Sequence, residues 1–183
     1  SSASFSLIIC VYKFWKYKSV WISISKSNEF NNSDSDKVSS RIILNPPNGL
    51  FGINIGPNKD SINRLEDYLI CFRKFHKLGD YLTVNISSPN TENLRSFHDQ
   101  KELNELLHAI KEEKDNLQSN TLIAIKISPD IDEKNIEKIS ELLLKYKINI
   151  VIVSNSTDSH RENLKNINKL EKGGLSGKPL EKK

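Results

Sequence analysis

DYLTVNISSPNTENLR, residues 80–95, is a short alternating strand that breaks into a loop crowded with hydroxyl and carboxamide side chains. Successive side chains of a strand point to opposite faces, so Leu82, Val84 and Ile86 share one face and Thr83 and Asn85 the other. One face is apolar and the other carries polar groups. Pro89 ends the pattern and leaves Ser87, Ser88, Asn90 and Thr91 in a loop at the strand's C-terminal end, where α/β folds carry their binding groups. Taken as composition alone, Ser-Pro-Asn-Thr is an ordinary polar turn.

On either side of this stretch, strands alternate with amphipathic helices from Phe51 onward, the pattern of βα units in a parallel sheet. A first helix is expected after Asp60 or Ser61, with Ile62, Leu65, Leu69, Phe72 and Phe75 along one face and Gly79 placed to end it. A second is expected from Glu102 to about Leu117, burying Leu103, Leu106, Leu107 and Ile110. A third starts near Asp132 and carries Ile136, Ile139, Leu142, Leu143 and Tyr146. All three read as scaffold covering a sheet. The strands carry the chemistry. Asn54 shares a face with Gly52 and Gly56, and Lys126 shares one with Ala124 and Ser128, opposite Ile123, Ile125 and Ile127. A lysine inside an apolar strand is costly unless something anionic meets it; the alternative is an edge-strand lysine. The strand over residues 148–153 leads into Ser154, Asn155, Ser156 and Thr157, another hydroxyl and amide cluster. If the strands closed as a barrel, these groups would converge on one mouth.

Composition bounds the rest. The chain has 183 residues, 37% hydrophobic and 27% charged, which suits a globular protein and not a disordered one. Its net charge of +4 is scattered, with no dense basic patch and no interleaved aromatics, so nucleic acid is not an expected partner. Cys10 and Cys71 lack C-x-x-C spacing, and His76, His98, His108 and His160 form no ligand pattern; no metal is expected. SLIICVYKFW, residues 6–15, is interrupted by Lys13 and falls short of the ~20 apolar residues of a membrane span. It reads as a short core segment, an interfacial piece or scrambled sequence. A (β/α)8 barrel takes about 250 residues, and this chain begins with Ser1 and contains no Met. A fragment, a processed product or a decayed reading frame is expected.

Five motifs occur in order: FGINIGPNKD (51–60), NISSPNT with LR (85–95), IAIKISPD (123–130), IVSNST (152–157) and GGLSGKPL (173–180). Together they closely resemble the quinone-linked, membrane-associated (class 2) dihydroorotate dehydrogenases, over roughly residues 30–180; any one alone would be weak. The resemblance implies an α/β fold, a partial (β/α)8 TIM barrel holding roughly strands three to six with their helices. Residues 1–45 form a poorly matched N-terminal segment and residues 46–183 the partial FMN-binding barrel domain. It implies FMN as cofactor and oxidation of dihydroorotate to orotate in pyrimidine synthesis, a base removing the C5 proton while hydride leaves C6 for the flavin and then quinone. Ser88 matches the base; the cytosolic class has cysteine there. Asn54, Asn85, Lys126, Ser154, Ser176 and Gly177 match cofactor positions, and Asn85, Asn90, Asn155 and Ser156 match substrate positions.

The departures from the family pattern matter as well. Where the family has N-R-x-G-F-N, residues 26–31 read KSNEFN: Lys26 replaces an amide, Glu29 replaces a glycine, and only Phe30 and Asn31 survive. Asn93 stands where glycine is usual, and Ser154 and Ser156 replace threonines. The family's A-G-F-D-K strand, its G-G phosphate loop and its membrane-docking helical pair find no match. A half barrel leaves sheet edges unpaired and an inner face uncovered, which invites self-association. The chain alone is therefore expected to be inactive, and an alternative is a non-catalytic remnant or interaction protein derived from the enzyme. Membrane association is implied for the parent family, and a cytoplasmic location is open to the fragment. A different flavin barrel acting on tRNA is disfavoured by the Ser88 motif and the lack of a basic face.

Overall fold

The computed structural model describes residues 8–11, 19–23, 33–57, 61–87, 94–157, 159, 161–162, 164–165, 167–170 and 173–180. Six strands form one wholly parallel sheet: β1 (Ile8–Val11), β2 (Ser19–Ser23), β3 (Gly52–Gly56), β4 (Tyr81–Asn85), β5 (Leu122–Lys126) and β6 (Ile150–Val153), in the spatial order β1-β6-β5-β4-β3-β2. The four expected strands are β3 to β6 and lie side by side in chain order, as in a partial α/β barrel. Two more extend the sheet. β2 pairs with β3, and β1 pairs with β6, so the apolar N-terminal segment supplies a strand.

Helices cover one face. α1 (Ser33–Leu44) precedes β3, α2 (Arg64–Phe75) joins β3 to β4, α3 (Gln100–Asn116) joins β4 to β5, and α4 (Glu133–Lys145) joins β5 to β6. Each crossover helix begins on a side chain that accepts from the first turn: Asn63 Oδ1 from Glu66 N at 3.1 Å, Asp99 Oδ1 from Lys101 N at 2.9 Å, and Asp132 Oδ1 from Asn135 N at 2.8 Å. Such caps satisfy donors the helix cannot. Tyr68, Cys71, Phe72 and Phe75 of α2, Leu103, Leu106, Leu107 and Ile110 of α3, and Ile139, Leu142 and Leu143 of α4 are buried against the sheet. They meet Ile53, Ile55, Leu82, Val84, Ile123, Ile125 and Val151 in one core. Each such side chain contributes roughly 1.5–3 kcal/mol on burial, enough in sum for the sheet's other face to carry polar groups.

Three local expectations are corrected. Ile62 precedes α2 and is exposed, because the chain is still extending toward its Asn63 cap. Ile136 lies on the solvent side of α4 and is 44% exposed. Gly79 does not end a helix through a left-handed turn: α2 stops at a His76 cap, and a Cβ at Gly79 would come within 3.2 Å of Ile53 Cγ1 and of the Phe51 carbonyl oxygen. Glycine at 79 eases this close approach, which a Cβ would make tight.

The crossover helices are tied to one another across their exposed sides. Arg73 of α2 bonds both Glu66 and Glu113 of α3 at 2.8 Å, while Tyr146 Oη and Lys145 Nζ, after and at the end of α4, reach Asn104 Oδ1 of α3 at 2.9 and 3.0 Å. Lys74 anchors α1 through Ser35 Oγ and Asp36. Among the described residues no helix is long and apolar enough to cross a membrane.

Candidate active site

Register across the sheet sets the site. Asn54, Thr83, Ala124 and Ile150 are successive Cα partners on β3 to β6, and Asn85, Lys126 and Ile152 form the next row toward the strands' C-terminal ends. Period two turns these residues away from the helices, onto the inner face. That face was expected to be uncovered, yet Asn54, Thr83, Asn85 and Lys126 are each 5% exposed or less. Burial has two consequences. It strips water from the Lys126 ammonium and pushes its pKa down to about 8, because the charged form loses solvation. It also leaves Asn54 Oδ1 without a hydrogen-bond partner among the described residues, a rare state for a buried acceptor. Lys126 and Asn85 face each other as register partners, so a cation and an amide stand together in a dry site.

At the strand ends the polar groups interlock. Ser87, fully buried, donates from Oγ to Asn85 Oδ1 at 2.8 Å, and Asn155 Nδ2 donates to Ser87 Oγ at 3.0 Å. Asn155 lies just beyond β6, so this contact joins the end of β4 to the end of β6. Tyr68 of α2, also fully buried, donates its hydroxyl to the Asn85 carbonyl at 2.6 Å, taking an acceptor at the strand's last residue. Its ring stands edge-on to Phe97 at 5.8 Å. Ser128 Oγ accepts from Asp130 N at 3.1 Å, and the buried Thr157 hydroxyl donates to the Asp130 carboxylate at 2.6 and 2.8 Å.

The structure thus brings Asn54, Asn85 and Lys126 together on one face, with Asn155 linked to them through Ser87. Ser154 and Ser156 flank Asn155; Ser154 Oγ donates to the Asn155 carbonyl at 3.3 Å, and Ser156 N donates to Asn155 Oδ1 at 2.9 Å. Ser176 and Gly177 are exposed, on a segment held to the end of β6 by the Thr157 and Leu175 backbone pair. Gly177 has φ +80°, a left-handed conformation that suits glycine. Ser88, Asn90, Asn93 and residues 26–31 lie outside the described residues. Ser87, Tyr68 and Thr83 belong to the site's framework; the sequence placed Thr83 on the polar face and Ser87 in the loop without giving either a role, and did not single out Tyr68. Period two extended one step past Asn85 would have turned Ser87 inward. Cys71 is buried under α2, its thiol pushed up to about 12 chiefly by desolvation, and so is no nucleophile at neutral pH.

The cation, amides and acceptor on this face are chemically suited to a ligand that offers both acceptors and donors and carries negative charge. Comparison with known proteins shows the family. The family model described as dihydroorotate dehydrogenase matches residues 23–183. The dihydroorotate dehydrogenase (quinone) of Nitrosomonas eutropha is 42% identical over 165 residues, 86% of this chain and 48% of that protein. The enzyme of the same name from Buchnera aphidicola subsp. Schizaphis graminum is 41% identical over 160 residues, 84% and 48%. Two crystal structures of Eimeria tenella DHODH superpose well. The ferulenol complex gives a TM-score of 0.70 at 29% identity over 79% of this chain and 43% of that one. The ligand-free type gives 0.69 at 31%, over 79% and 45%. The chain spans about half the length of the curated relatives it matches.

Proposed function

The chain belongs to the dihydroorotate dehydrogenase family, and from that premise we propose that it carries the central strands of a flavin-dependent enzyme that oxidises dihydroorotate to orotate and passes the electrons to quinone. The single observation that carries this reading is the inner-face trio: Lys126 beside Asn85 in register, near an Asn54 acceptor with no partner among the described residues, all buried. Those groups fit FMN. Asn54 and Asn85 offer amides to the edge of a planar ring, and the desolvated Lys126 gains by meeting an anion. Ser154, Ser176 and Gly177 are assigned to the same cofactor by the family motifs. FMN bound there would supply a two-electron acceptor, which no side chain of this chain provides.

For the substrate, Asn85, Asn90, Asn155 and Ser156 are assigned to the ring and carboxylate, and Ser88 to the base that removes the C5 proton. A serine hydroxyl is a weak base, so its reach to that proton matters more than its resting pKa. The chain's part is then to bind and orient dihydroorotate with its reacting bonds toward the cofactor, and to keep water from the inner face. Association of the whole protein with a membrane, where quinone resides, belongs to the same proposal, as does association of this chain with further copies through its sheet edges.

The test is the visible absorption spectrum of the purified chain after incubation with FMN and removal of free flavin, beside Lys126→Ala. Retained flavin that the variant loses supports the reading, and turnover of dihydroorotate follows as the next assay. Colourless protein supports instead a non-catalytic remnant that keeps the family's strands.

A further inference from the structure

Two carboxamides in this site have their orientation fixed by the backbone. A main-chain N–H can only donate, so the Asn155 atom that faces Ser156 N at 2.9 Å is Oδ1, and the Asn85 atom that faces Ser87 N at 3.3 Å is Oδ1. Asn155 Nδ2 is then the atom that meets Ser87 Oγ, as donor, at 3.0 Å. Ser87 has one hydroxyl proton, and it goes to Asn85 Oδ1 at 2.8 Å. The chain of bonds runs in one direction, from Asn155 through Ser87 to Asn85. Asn85 Oδ1 accepts from both Ser87 N and Ser87 Oγ, which fills its capacity. What Asn85 has left is Nδ2, which has no partner among the described residues.

The distances decide which bond holds the amide. At 3.3 Å the bond from Ser87 N lies beyond the usual 2.7–3.2 Å range, whereas the hydroxyl bond is short. Without Ser87 Oγ, the Asn85 carboxamide would be held by the weaker contact alone and could turn over, exchanging a donor for an acceptor.

We infer that Ser87 is a positioning residue: its hydroxyl couples the loop after β6 to the end of β4 and locks Asn85 with Nδ2 turned to the inner face as a donor. The site therefore reads an acceptor at that point, a carbonyl or carboxylate oxygen. The identity of the ligand rests on the function proposed above; the network does not.

The experiment uses the full chain carrying Ser87→Ala, Asn155→Asp or both, with folding checked by circular dichroism and thermal midpoint. The first readout needs no ligand: the side-chain amide resonances of asparagine-labelled protein and their exchange with solvent. In Ser87→Ala the Asn155 amide is expected to shift and to exchange about tenfold faster, the equivalent of one hydrogen bond lost. An Asn155 amide unmoved by removal of Ser87 Oγ overturns the inference. The second readout is FMN affinity. Each single variant is expected to bind about tenfold more weakly, with a thermal midpoint lowered by no more than the loss of one hydrogen bond, and the double variant no more weakly than the worse single. Equal affinities, or losses that multiply, overturn the positioning role. If the parent binds no FMN, the flavin reading fails and the amide resonances still decide the network. Should Ser87→Ala not fold, Asn155→Asp carries the affinity readout and Asn85 replaces Asn155 as the resonance followed, because the substitution sits on the partly exposed loop.

Discussion

Lys126 shows what a single buried charge imposes. In the unfolded chain a lysine keeps its proton to about pH 10.4, whereas inside this sheet desolvation lowers the pKa to about 8. Between those values the unfolded chain binds more protons, so stability contributed by this site rises with pH from about 8 to about 10.4. Below pH 8 the folded chain keeps its charge where burial disfavours it. Lys126→Met keeps the apolar stem and discards the charge. At pH 7 its urea midpoint is expected above that of the parent, by on the order of 3 kcal/mol, with the gap closing across pH 8 to 10.4. A variant no more stable than the parent at pH 7 would mean that the charge is compensated within the folded chain. Period two along Leu122–Lys126 was enough to turn Lys126 inward from sequence. That Asn54 Oδ1 lacks a partner among the described residues, or that Ser87 ties Asn85 to Asn155, depends on contacts between distant strands and was not legible.

Elements are registered by a device used twice. Asp80, just before β4, accepts the Phe51 N–H on its carboxylate at 2.6 Å and gives its own N–H to the Phe51 carbonyl at 2.8 Å. Asn149, just before β6, does the same with Ile123: its Oδ1 accepts at 3.0 Å and its N–H donates at 3.2 Å. A side chain thus completes the ladder where each strand begins, and the rows that place Asn85 against Lys126 follow from that start. Asp80→Asn keeps an acceptor and is expected to cost little. Asp80→Ala leaves the Phe51 N–H without a partner and is expected to cost about 1–3 kcal/mol, read as a lower urea midpoint at unchanged slope. Equal losses for the two variants would show that the acceptor is not what matters. The same logic makes the Tyr68 hydroxyl a tie between α2 and β4, and Tyr68→Phe, which takes that donor from the Asn85 carbonyl, is expected to lower the urea midpoint by the equivalent of about 1–3 kcal/mol. The helices were legible because a 3.6-residue apolar period is a local signal; of their caps only Asp132 was read, since Asn63 and Asp99 differ from the expected starts at Asp60 or Ser61 and at Glu102. Ile62 and Ile136 misled because an apolar residue next to a helix stripe carries no mark of which side of the boundary it falls on.

The arrangement of the sheet was legible only in part. β3 to β6 follow one another in sequence and in space, as βα units do, so their order could be read directly. β1 and β2 are short and sit in a segment interrupted by lysines and serines, and β1 pairs with β6 from the opposite end of the chain; no local pattern announces such a partner. Among the described residues the sheet is open: β1 has β6 as its one neighbour and β2 has β3, and the two are not paired with each other. Each outer strand therefore offers a row of backbone N–H and C=O groups to another chain. In sedimentation velocity the chain is expected to associate increasingly over a tenfold rise in concentration. Proline placed in turn at Val20, Trp21 and Ile22 discriminates the cause, since proline removes a ladder donor. At a position whose N–H points away from β3, association is expected to fall while the far-ultraviolet circular dichroism is kept; at a position whose N–H points toward β3, both should suffer. A sedimentation coefficient independent of concentration in the parent would mean that these edges are already covered within a single chain.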